Sequence, residues 1–229
     1  MKKNNIKFLG FLIFIIYLFS GCENVFHSKP SEGIIHYNLE YLQSEEENPI
    51  VSLLPTEMDI EFKNNFTHQK VEGWMGIFYM GGIFNPKAYR KTALLKIMGQ
   101  KYQYFEDADK QVDFGFDPYD GMKLEETKET KIIAGMLCKK VKVIFPDTSE
   151  NFDIYYTNEI EIKNANWNNP FHSINGVLLD YQIKMFGIKT HIIATSIEFV
   201  EVPDETFSIP DGYKEVSKEE MEEVINKLM

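Results

Sequence analysis

Residues that bind metals or act as nucleophiles are scarce in this sequence. It contains two cysteines and five histidines, and no two histidines are four residues apart, the spacing of a zinc pair on a helix. The Gly-x-Ser-x-Gly elbow, the phosphate-binding P-loop and the dinucleotide fingerprint are also absent. We therefore expect no metal site, no cofactor and no catalytic residue, and we predict that the protein is not an enzyme.

One acidic stretch matches part of the pattern of a calcium-binding loop. Asp107, Asp109 and Asp113 fall at positions 1, 3 and 7 of such a loop. However, Val112 occupies the position where the loop needs glycine, and Pro118 the position of the bidentate glutamate. We expect no calcium at this stretch.

Basic residues are fewer than acidic ones. The chain has 24 Lys and Arg against 35 Asp and Glu, for a formal net charge of −11. A surface of this sign disfavours binding to nucleic acid, and it disfavours docking to anionic lipid through a basic patch.

A hydrophobic run lies near the N-terminus, where Phe8–Phe19 is almost wholly apolar. This run is shorter than the roughly 20 apolar residues of a membrane-spanning helix. Lys2, Lys3 and Lys7 precede it and Ser20-Gly21-Cys22 follows it, which indicates a lipoprotein signal cleaved before Cys22. An uncleaved membrane anchor is the alternative.

The lipoprotein interpretation divides the chain into three parts. We expect a signal peptide at residues 1–21, a lipidated tether at 22–32 and a single domain at 33–229. Lipid on Cys22 would attach the protein to a membrane, and we expect it at the outer membrane, facing the periplasm. Cleavage would shorten the chain from 229 to 208 residues and, by removing three lysines, change its net charge from −11 to −14.

Lipidation of Cys22 would leave Cys138 without a partner for an intramolecular disulfide. Cys138 follows Met136-Leu137 and precedes the strand-like stretch at Val141. These apolar neighbours predict a buried, unreactive thiol.

Apolar and polar residues alternate with period two through most of the domain, as they do in half-buried strands. The pattern covers residues 35–41, 58–63, 141–145, 152–156, 179–185 and 188–200. In the last of these, His191, Ile193, Thr195, Ile197 and Phe199 are expected to share one face. Aromatic residues make up 14% of the chain. Together with the short strands, they predict a mainly β protein with an antiparallel barrel or a strongly curved sheet.

The clearest helix is predicted near the C-terminus. Ser217 and Glu220 form a capping-box pattern. Met221, Val224, Ile225 and Leu228 then recur at helical spacing. We expect this helix to pack on the sheet.

The segment Trp74–Phe84 is almost entirely apolar and includes three glycines and two methionines. It could line a cavity for an apolar ligand, because methionine and aromatic side chains adapt to such ligands, or it could be a core segment. The tentative ligand-binding residues are Trp74, Ile77, Phe78, Met80, Phe84, Ile193, Ile197 and Phe199.

Four stretches resemble a known family. Residues 133–140 (Ile-Ala-Gly-Met-Leu-Cys-Lys-Lys), 155–160 (Tyr-Tyr-Thr-Asn-Glu-Ile), 173–179 and 207–213 resemble motifs of the GLPGLI-like exported bacterial lipoproteins, whose function is unknown. Ser173 and Asn175 depart from the naming motif, which favours a neighbouring branch.

The resemblance implies a fold similar to that of the lipoprotein carriers of the outer-membrane sorting pathway. Such a fold is a half-barrel, that is, a strongly curved, unclosed antiparallel β-barrel around an apolar cavity, with a C-terminal helix and one or more plugging helices. It implies no catalytic residues.

Two functions follow from these observations. The first is a lipid-anchored binding module of the cell envelope for a lipid or other hydrophobic ligand. The alternative is a non-catalytic structural or interaction protein that binds another protein through its acidic surface. The sequence leaves open the ligand, the membrane leaflet, the protein partner and the oligomeric state.

Overall fold

The computed structural model of the protein describes residues 28–107, 115–166 and 169–227, without the side chains of Trp74 and Ser149. Cys22, the predicted signal peptide and most of the calcium-like stretch, including Asp109, Val112 and Asp113, lie outside the described residues. Within the described ranges, no helix is long and apolar enough to cross a membrane.

The domain is built on one sheet of twelve strands with the order β12-β6-β5-β4-β3-β2-β1-β11-β10-β9-β8-β7. All neighbouring strands are antiparallel except β12 and β6, which are parallel. The strands are β1 (Glu32–Tyr41), β2 (Glu57–Lys63), β3 (Phe66–Gly73), β4 (Phe78–Asn85), β5 (Arg90–Ile97), β6 (Gln100–Asp107), β7 (Lys123–Ile133), β8 (Met136–Ile144), β9 (Phe152–Thr157), β10 (Val177–Met185), β11 (Ile188–Glu198) and β12 (Lys214–Glu215).

The helical elements are few. One α-helix, α1 (Lys218–Asn226), follows β12. Short 3-10 turns occur at Pro49–Leu53, Trp74–Gly76, Thr148–Glu150 and Asp204–Phe207. The prediction of a mainly β, unclosed antiparallel half-barrel with a C-terminal helix is confirmed, and among the described residues α1 is the one α-helix available to plug it.

The sheet is strongly curved. Strands β5 and β10 are six steps apart in the sheet order. In a flat sheet six steps would separate them by about 29 Å, because neighbouring strands lie about 4.8 Å apart. Leu95 of β5 and Ile183 of β10 nevertheless line the same cavity, so the two halves of the sheet face each other.

Alternation explains which face of each strand is inside. In β1, Ile35, Tyr37 and Leu39 are buried in the main hydrophobic core, whereas His36 and Glu40 point to the outer face. The buried hydroxyl of Tyr37 has a hydrogen-bond partner, because it donates to the carbonyl of Leu178 at 2.8 Å. The strand predicted from this alternation is therefore confirmed.

Strand β11 interrupts its alternation with a bulge. His36 pairs with Ser196 and Tyr37 pairs with Ala194, so Thr195 is an extra residue on β11. Because side chains alternate with period two, this extra residue reverses the faces beyond it. The prediction that positions 191–199 share one face is wrong: His191 and Ile193 point outward, whereas Ile197 lies opposite Ile35 and packs on the core.

The chain between β11 and β12 crosses the outer face of the sheet, and we call residues 199–213 the outer strap. Lys63 on β2 forms an ion pair with Asp204 at 2.8 Å. The ring of Phe207 packs against Phe66 of β3, with centroids 5.6 Å apart. Lys101 on β6 donates to the carbonyl of Asp211 at 3.0 Å. The outer strap thus carries the chain to the β6 edge, where β12 pairs and α1 turns onto the concave side.

Candidate ligand-binding cavity

Two adjoining cavities, each of about 130 Å³, lie on the concave face of the sheet. We call them the apolar lobe and the polar lobe after their linings. Residues that line both lobes form the boundary between them: Gln69, Val71, Met80, Leu95, Ile183, Met185 and Ile225. The lobes are therefore two parts of one concave site.

The apolar lobe lies toward the end of the sheet that holds the β3–β4 and β10–β11 turns. It adds to the shared lining Leu39, Tyr41, Ile50, Leu54, Pro55, Met58, Phe78, Phe186, Ile188, Thr190 and Ile192. The Tyr41 hydroxyl donates to the carbonyl of Pro55, and burial raises the pKa of Tyr41 to about 12. This lobe presents mainly aliphatic and aromatic surface, and it suits apolar groups.

The polar lobe lies toward the opposite end of β5 and β6. Lys91 is only 6% exposed although it carries an ammonium group, and it lies directly opposite Glu106 in the β5–β6 register. Tyr104 donates its hydroxyl to the Glu106 carboxylate. Burial, and then the bond to Glu106, raise the pKa of Tyr104 above its ordinary value. Gln69, Thr92 and Asn169 complete the polar lining.

Helix α1 closes the concave side. Ser217 caps its N-terminus by accepting the backbone N–H of Glu220 at 3.1 Å, as the sequence pattern predicts. Met221 and Ile225 are buried, pack with Leu95 and Val216, and line the cavity. The helix therefore acts as the plug of the half-barrel. Leu228, predicted on the same face, lies outside the described residues.

Two of the eight tentative ligand-binding residues line the cavity. Phe78 lines the apolar lobe and Met80 lines both lobes. Phe84 is buried but contributes to neither lobe, and Ile77 is 47% exposed beside the β3–β4 turn. The backbone of Trp74 lies in the 3-10 turn, and its side chain lies outside the described part of the chain.

The residues proposed on β11 lie elsewhere. Ile193 points outward and Ile197 packs on the core beyond the bulge. Phe199 is 45% exposed where the outer strap begins. On the same strand Ile188, Thr190 and Ile192 line the apolar lobe instead. Alternation could have identified these three, because they share the face of buried Ala194.

The outer face carries pairs of histidine and carboxylate side chains. His36 bonds to Asp59 at 2.7 Å and His191 bonds to Asp180 at 2.7 Å. His68 lies between the Glu61 carboxylate and the Tyr79 hydroxyl, and the bond from His68 is the main cause of the lowered pKa of Glu61. No group of three or more potential metal ligands occurs among the residues that the structure describes.

Comparisons with known proteins add little. No protein-family model matches the chain, and no curated protein matches its sequence, so membership of the GLPGLI-like family stays a prediction. The crystal structure of LprF from Mycobacterium bovis is similar over 76% of this chain and 90% of its own, with 13% identity and a TM-score of 0.29. A likeness at this level supports no functional argument.

Proposed function

We propose that this protein is a non-catalytic, lipid-anchored binding module of the cell envelope whose concave cavity holds a lipid or another hydrophobic ligand. The proposal rests on one observation: beside its packed core, the concave side of the sheet retains two adjoining lobes that are largely lined by apolar side chains. Protein interiors are normally close-packed. An apolar occupant would therefore be stabilised by the apolar surface that it and the lobes remove from water.

The anchor complements the cavity in this proposal. The described chain leads directly into β1 at Glu32. Lipid on Cys22 would hold the domain at the outer membrane, close to a supply of hydrophobic ligands. The alternative, a protein that contacts a partner through its acidic surface, stays a prediction that crosslinking in cells followed by pull-down would test.

Gly82 offers a direct test of cavity binding. It lines the polar lobe, and a Cβ at this position would meet no atom closer than 4.0 Å, so Gly82→Leu adds bulk to the cavity without a backbone clash. We expect the mature protein, extracted from membranes in mild detergent, to bind palmitic acid, and Gly82→Leu to weaken binding at least tenfold. Native mass spectrometry counts bound molecules by mass.

Thr130→Leu is the control, because it introduces the same leucine side chain at an exposed position of β7, away from the cavity. Its binding should equal that of the unaltered protein. Absence of any bound fatty acid, or equal binding by Gly82→Leu, would contradict the proposal.

A further inference from the structure

Two neighbouring turns at one end of the sheet expose apolar side chains to solvent. Met75 and Ile77 stand in the β3–β4 turn and Met98 stands in the β5–β6 turn, and their exposed fractions are 101%, 47% and 77%. The two turns adjoin, because the backbone N–H of Met98 donates to the carbonyl of Ile77 at 3.2 Å. We call these three residues the turn patch.

The stability of the folded domain does not account for methionine at these positions. Met75 and Met98 both have left-handed φ angles, 53° and 47°. Residues with a Cβ adopt this region at a cost, and asparagine is enriched there. At the opposite end of the sheet, the β2–β3 turn has asparagine at both of its left-handed positions, Asn64 and Asn65. The two methionines forgo that advantage and gain little packing, which indicates a contact outside the domain.

The two turns contain no ionisable side chain. Residues 73–78 are Gly-Trp-Met-Gly-Ile-Phe and residues 97–100 are Ile-Met-Gly-Gln, although 26% of the chain is charged. Glu72 and Lys96 flank the turns with one charge of each sign, and both lie opposite Tyr79 on the outer face. Moving the tips of the turns into an apolar medium would therefore remove no charge from water.

The apolar lobe lies directly behind the turn patch. Phe78, which begins β4 after the first turn, lines this lobe. A Cβ on Gly73, at the end of β3, would lie 2.5 Å from Cγ of Pro55, which is another lining residue. The turn thus packs against the wall of the lobe, and a surface that receives the turn patch would also face this end of the cavity.

A lipid bilayer fits the turn patch better than a protein partner does. Protein interfaces have a closely packed apolar centre surrounded by polar groups. The turn patch instead presents apolar side chains at the tips of hairpins, where Met75 is fully exposed and Gly76 and Gly99 add no side chain beside the methionines. Shallow insertion of such tips keeps the backbone groups of the turns within reach of water.

The tether leaves the orientation of the domain to other contacts. Ten residue steps separate Cys22 from Glu32, and such a length of chain reaches up to about 34 Å. Strand β1, which also has ten residues, is about 33 Å long. Lipid on Cys22 would therefore allow either end of β1 to approach a membrane, and the turn patch would select the end that holds the apolar lobe.

We propose that the turn patch enters the head-group region of a bilayer whose lipids are zwitterionic. The tips are uncharged, and the acidic loop at residues 45–47, which follows β1 at the same end of the sheet, disfavours an anionic surface. This contact places the apolar lobe against the bilayer. It goes beyond the proposed function, because it requires no ligand in the cavity.

Fluorescent labels at the two ends of β5 test this orientation. Met98→Cys and Tyr89→Cys place the label in turns at opposite ends of the strand, and both positions are exposed and have a left-handed φ. Each variant is extracted in detergent, labelled with a nitrobenzoxadiazole dye and reconstituted in phosphatidylcholine vesicles that contain lipid with a nitroxide on its acyl chain. We expect the nitroxide to quench the label at position 98 about fivefold more strongly than the label at position 89. The unaltered protein corrects for dye on the native cysteines.

A charge in the turn patch should prevent the contact. Met75→Glu adds a carboxylate at a fully exposed position, so the fold should be unaffected, and quenching at position 98 should fall to the level of position 89. Tyr89→Glu is the matched control, because it adds the same charge at the opposite end of β5. It should leave quenching of the label at position 98 unchanged.

The outcomes separate a bilayer from other occupants. Equal quenching at positions 98 and 89, stronger quenching at 89, or quenching that Met75→Glu leaves unchanged would overturn the proposal. A label at position 98 that is shielded from water but not quenched would show that the turn patch contacts a second copy of the chain instead. Stronger quenching in phosphatidylglycerol vesicles would overturn the choice of zwitterionic lipids. Palmitic acid enters none of these measurements, so a cavity that fails to bind it would leave the membrane contact standing.

Discussion

Cys138 shows how a single buried side chain sets local reactivity. Its sulfur is completely buried within the main core cluster, and burial raises the pKa of the thiol to about 11. The thiolate, which is the reactive form, is therefore almost absent near neutral pH. The sequence-based prediction of a buried thiol is confirmed.

We expect Cys138 to resist alkylation in the folded protein. At pH 8 iodoacetamide should modify it only after urea unfolds the chain, because both burial and the raised pKa suppress reaction. Peptide mapping by mass spectrometry measures the modification at this position. Labelling of Cys138 at similar rates with and without urea would contradict the assignment.

The β5–β6 turn is built from Met98 and Gly99, which both have positive φ angles, 47° and 82°. Two consecutive positive φ values are typical of the tight hairpin turn that favours Asn-Gly, since asparagine tolerates this conformation better than other residues with a Cβ. Met98 is also 77% exposed, so its side chain contributes little packing.

We expect Met98→Asn to raise the free energy of unfolding by about 0.5 kcal/mol and Gly99→Ala to lower it by about 1 kcal/mol. A Cβ on Gly99 would meet no atom within 4 Å, so the loss would arise from the backbone alone. Urea denaturation measures both changes. Gly82→Ala is the control, since Gly82 has an ordinary φ and open space around it, and it should show no comparable loss.

At the scale of elements, one cluster of charges helps to fasten the outer strap to the sheet, in addition to the Phe66–Phe207 contact and the Lys101 hydrogen bond. Lys63 lies 3.2 Å from Glu32 and 2.8 Å from Asp204, and it donates to the carbonyl of Val202. The backbone N–H of Val202 donates to Glu32, and this bond is the main cause of the lowered pKa of Glu32. The hydrogen bond from Lys63 lowers the pKa of Asp204.

The strap should loosen in acid. A carboxyl whose pKa is lowered by folding stabilises the folded state above its unfolded pKa, and this stabilisation is lost as pH falls through the folded value. We therefore expect hydrogen exchange in residues 199–213 to accelerate relative to β10 below about pH 4, where unperturbed carboxyls take up protons.

Removing the positive charge of Lys63 should also loosen the outer strap, in this case at neutral pH. Lys63→Met should accelerate exchange in the outer strap at pH 7, whereas Lys96→Met, on a different strand, should leave it unchanged. Equal exchange in the strap of Lys63→Met and the unaltered protein would show that the charge cluster does not hold it.

The local sequence pattern was sufficient to predict individual strands and the helix, but it was insufficient to predict how the strands pair in the sheet. Period-two alternation identified β1, β2, β8, β9 and β10, and capping with helical spacing identified α1. It could not place β1 between β2 and β11, because that pairing joins residues far apart in sequence. It also missed the extra Thr195, since one inserted residue leaves the composition of β11 strand-like while reversing its faces.

The candidate site was harder to predict for the same reason. Met80 and Phe78 were identified because they stand in a conspicuously apolar segment. Ile183 and Met185 lie on β10, and Ile225 lies on α1. They line the same cavity as Phe78 and Met80 only because the sheet curves and the C-terminal helix folds back onto it. Lys91 stands beside Arg90 after an exposed turn, and nothing in the local pattern distinguishes an inward lysine from a solvated one.

At the scale of the whole molecule, the open sheet has two edges with different protection. At one edge, β12 covers part of β6, and α1 packs nearby. At the other edge, β8 is the one neighbour of β7 among the described strands, but the β7 sequence Lys-Leu-Glu-Glu-Thr-Lys-Glu-Thr-Lys-Ile-Ile carries charges of both signs along most of its length. Charged edge strands oppose pairing with other chains. The sheet can therefore stay open around a cavity without exposing a long apolar edge.

In the proposed function, the position of this cavity in the cell would depend on lipid attached to Cys22. We expect intact-mass analysis of protein extracted from membranes to show loss of residues 1–21 and added acyl mass on Cys22, because the leader has the charge, length and cleavage pattern of a lipoprotein signal. Two or three acyl chains, at about 0.8 kcal/mol per buried methylene, would hold the domain at the membrane almost permanently.

Cys22→Ser is the informative variant, since it removes the lipid acceptor and leaves the domain unchanged. It should prevent acylation and shift the protein from the membrane fraction. A chain that retains Met1, or a cleaved chain with an unmodified thiol, would refute lipidation. Either result would also remove the reason for placing the cavity beside a membrane, while palmitic acid binding by the domain would still test the cavity itself.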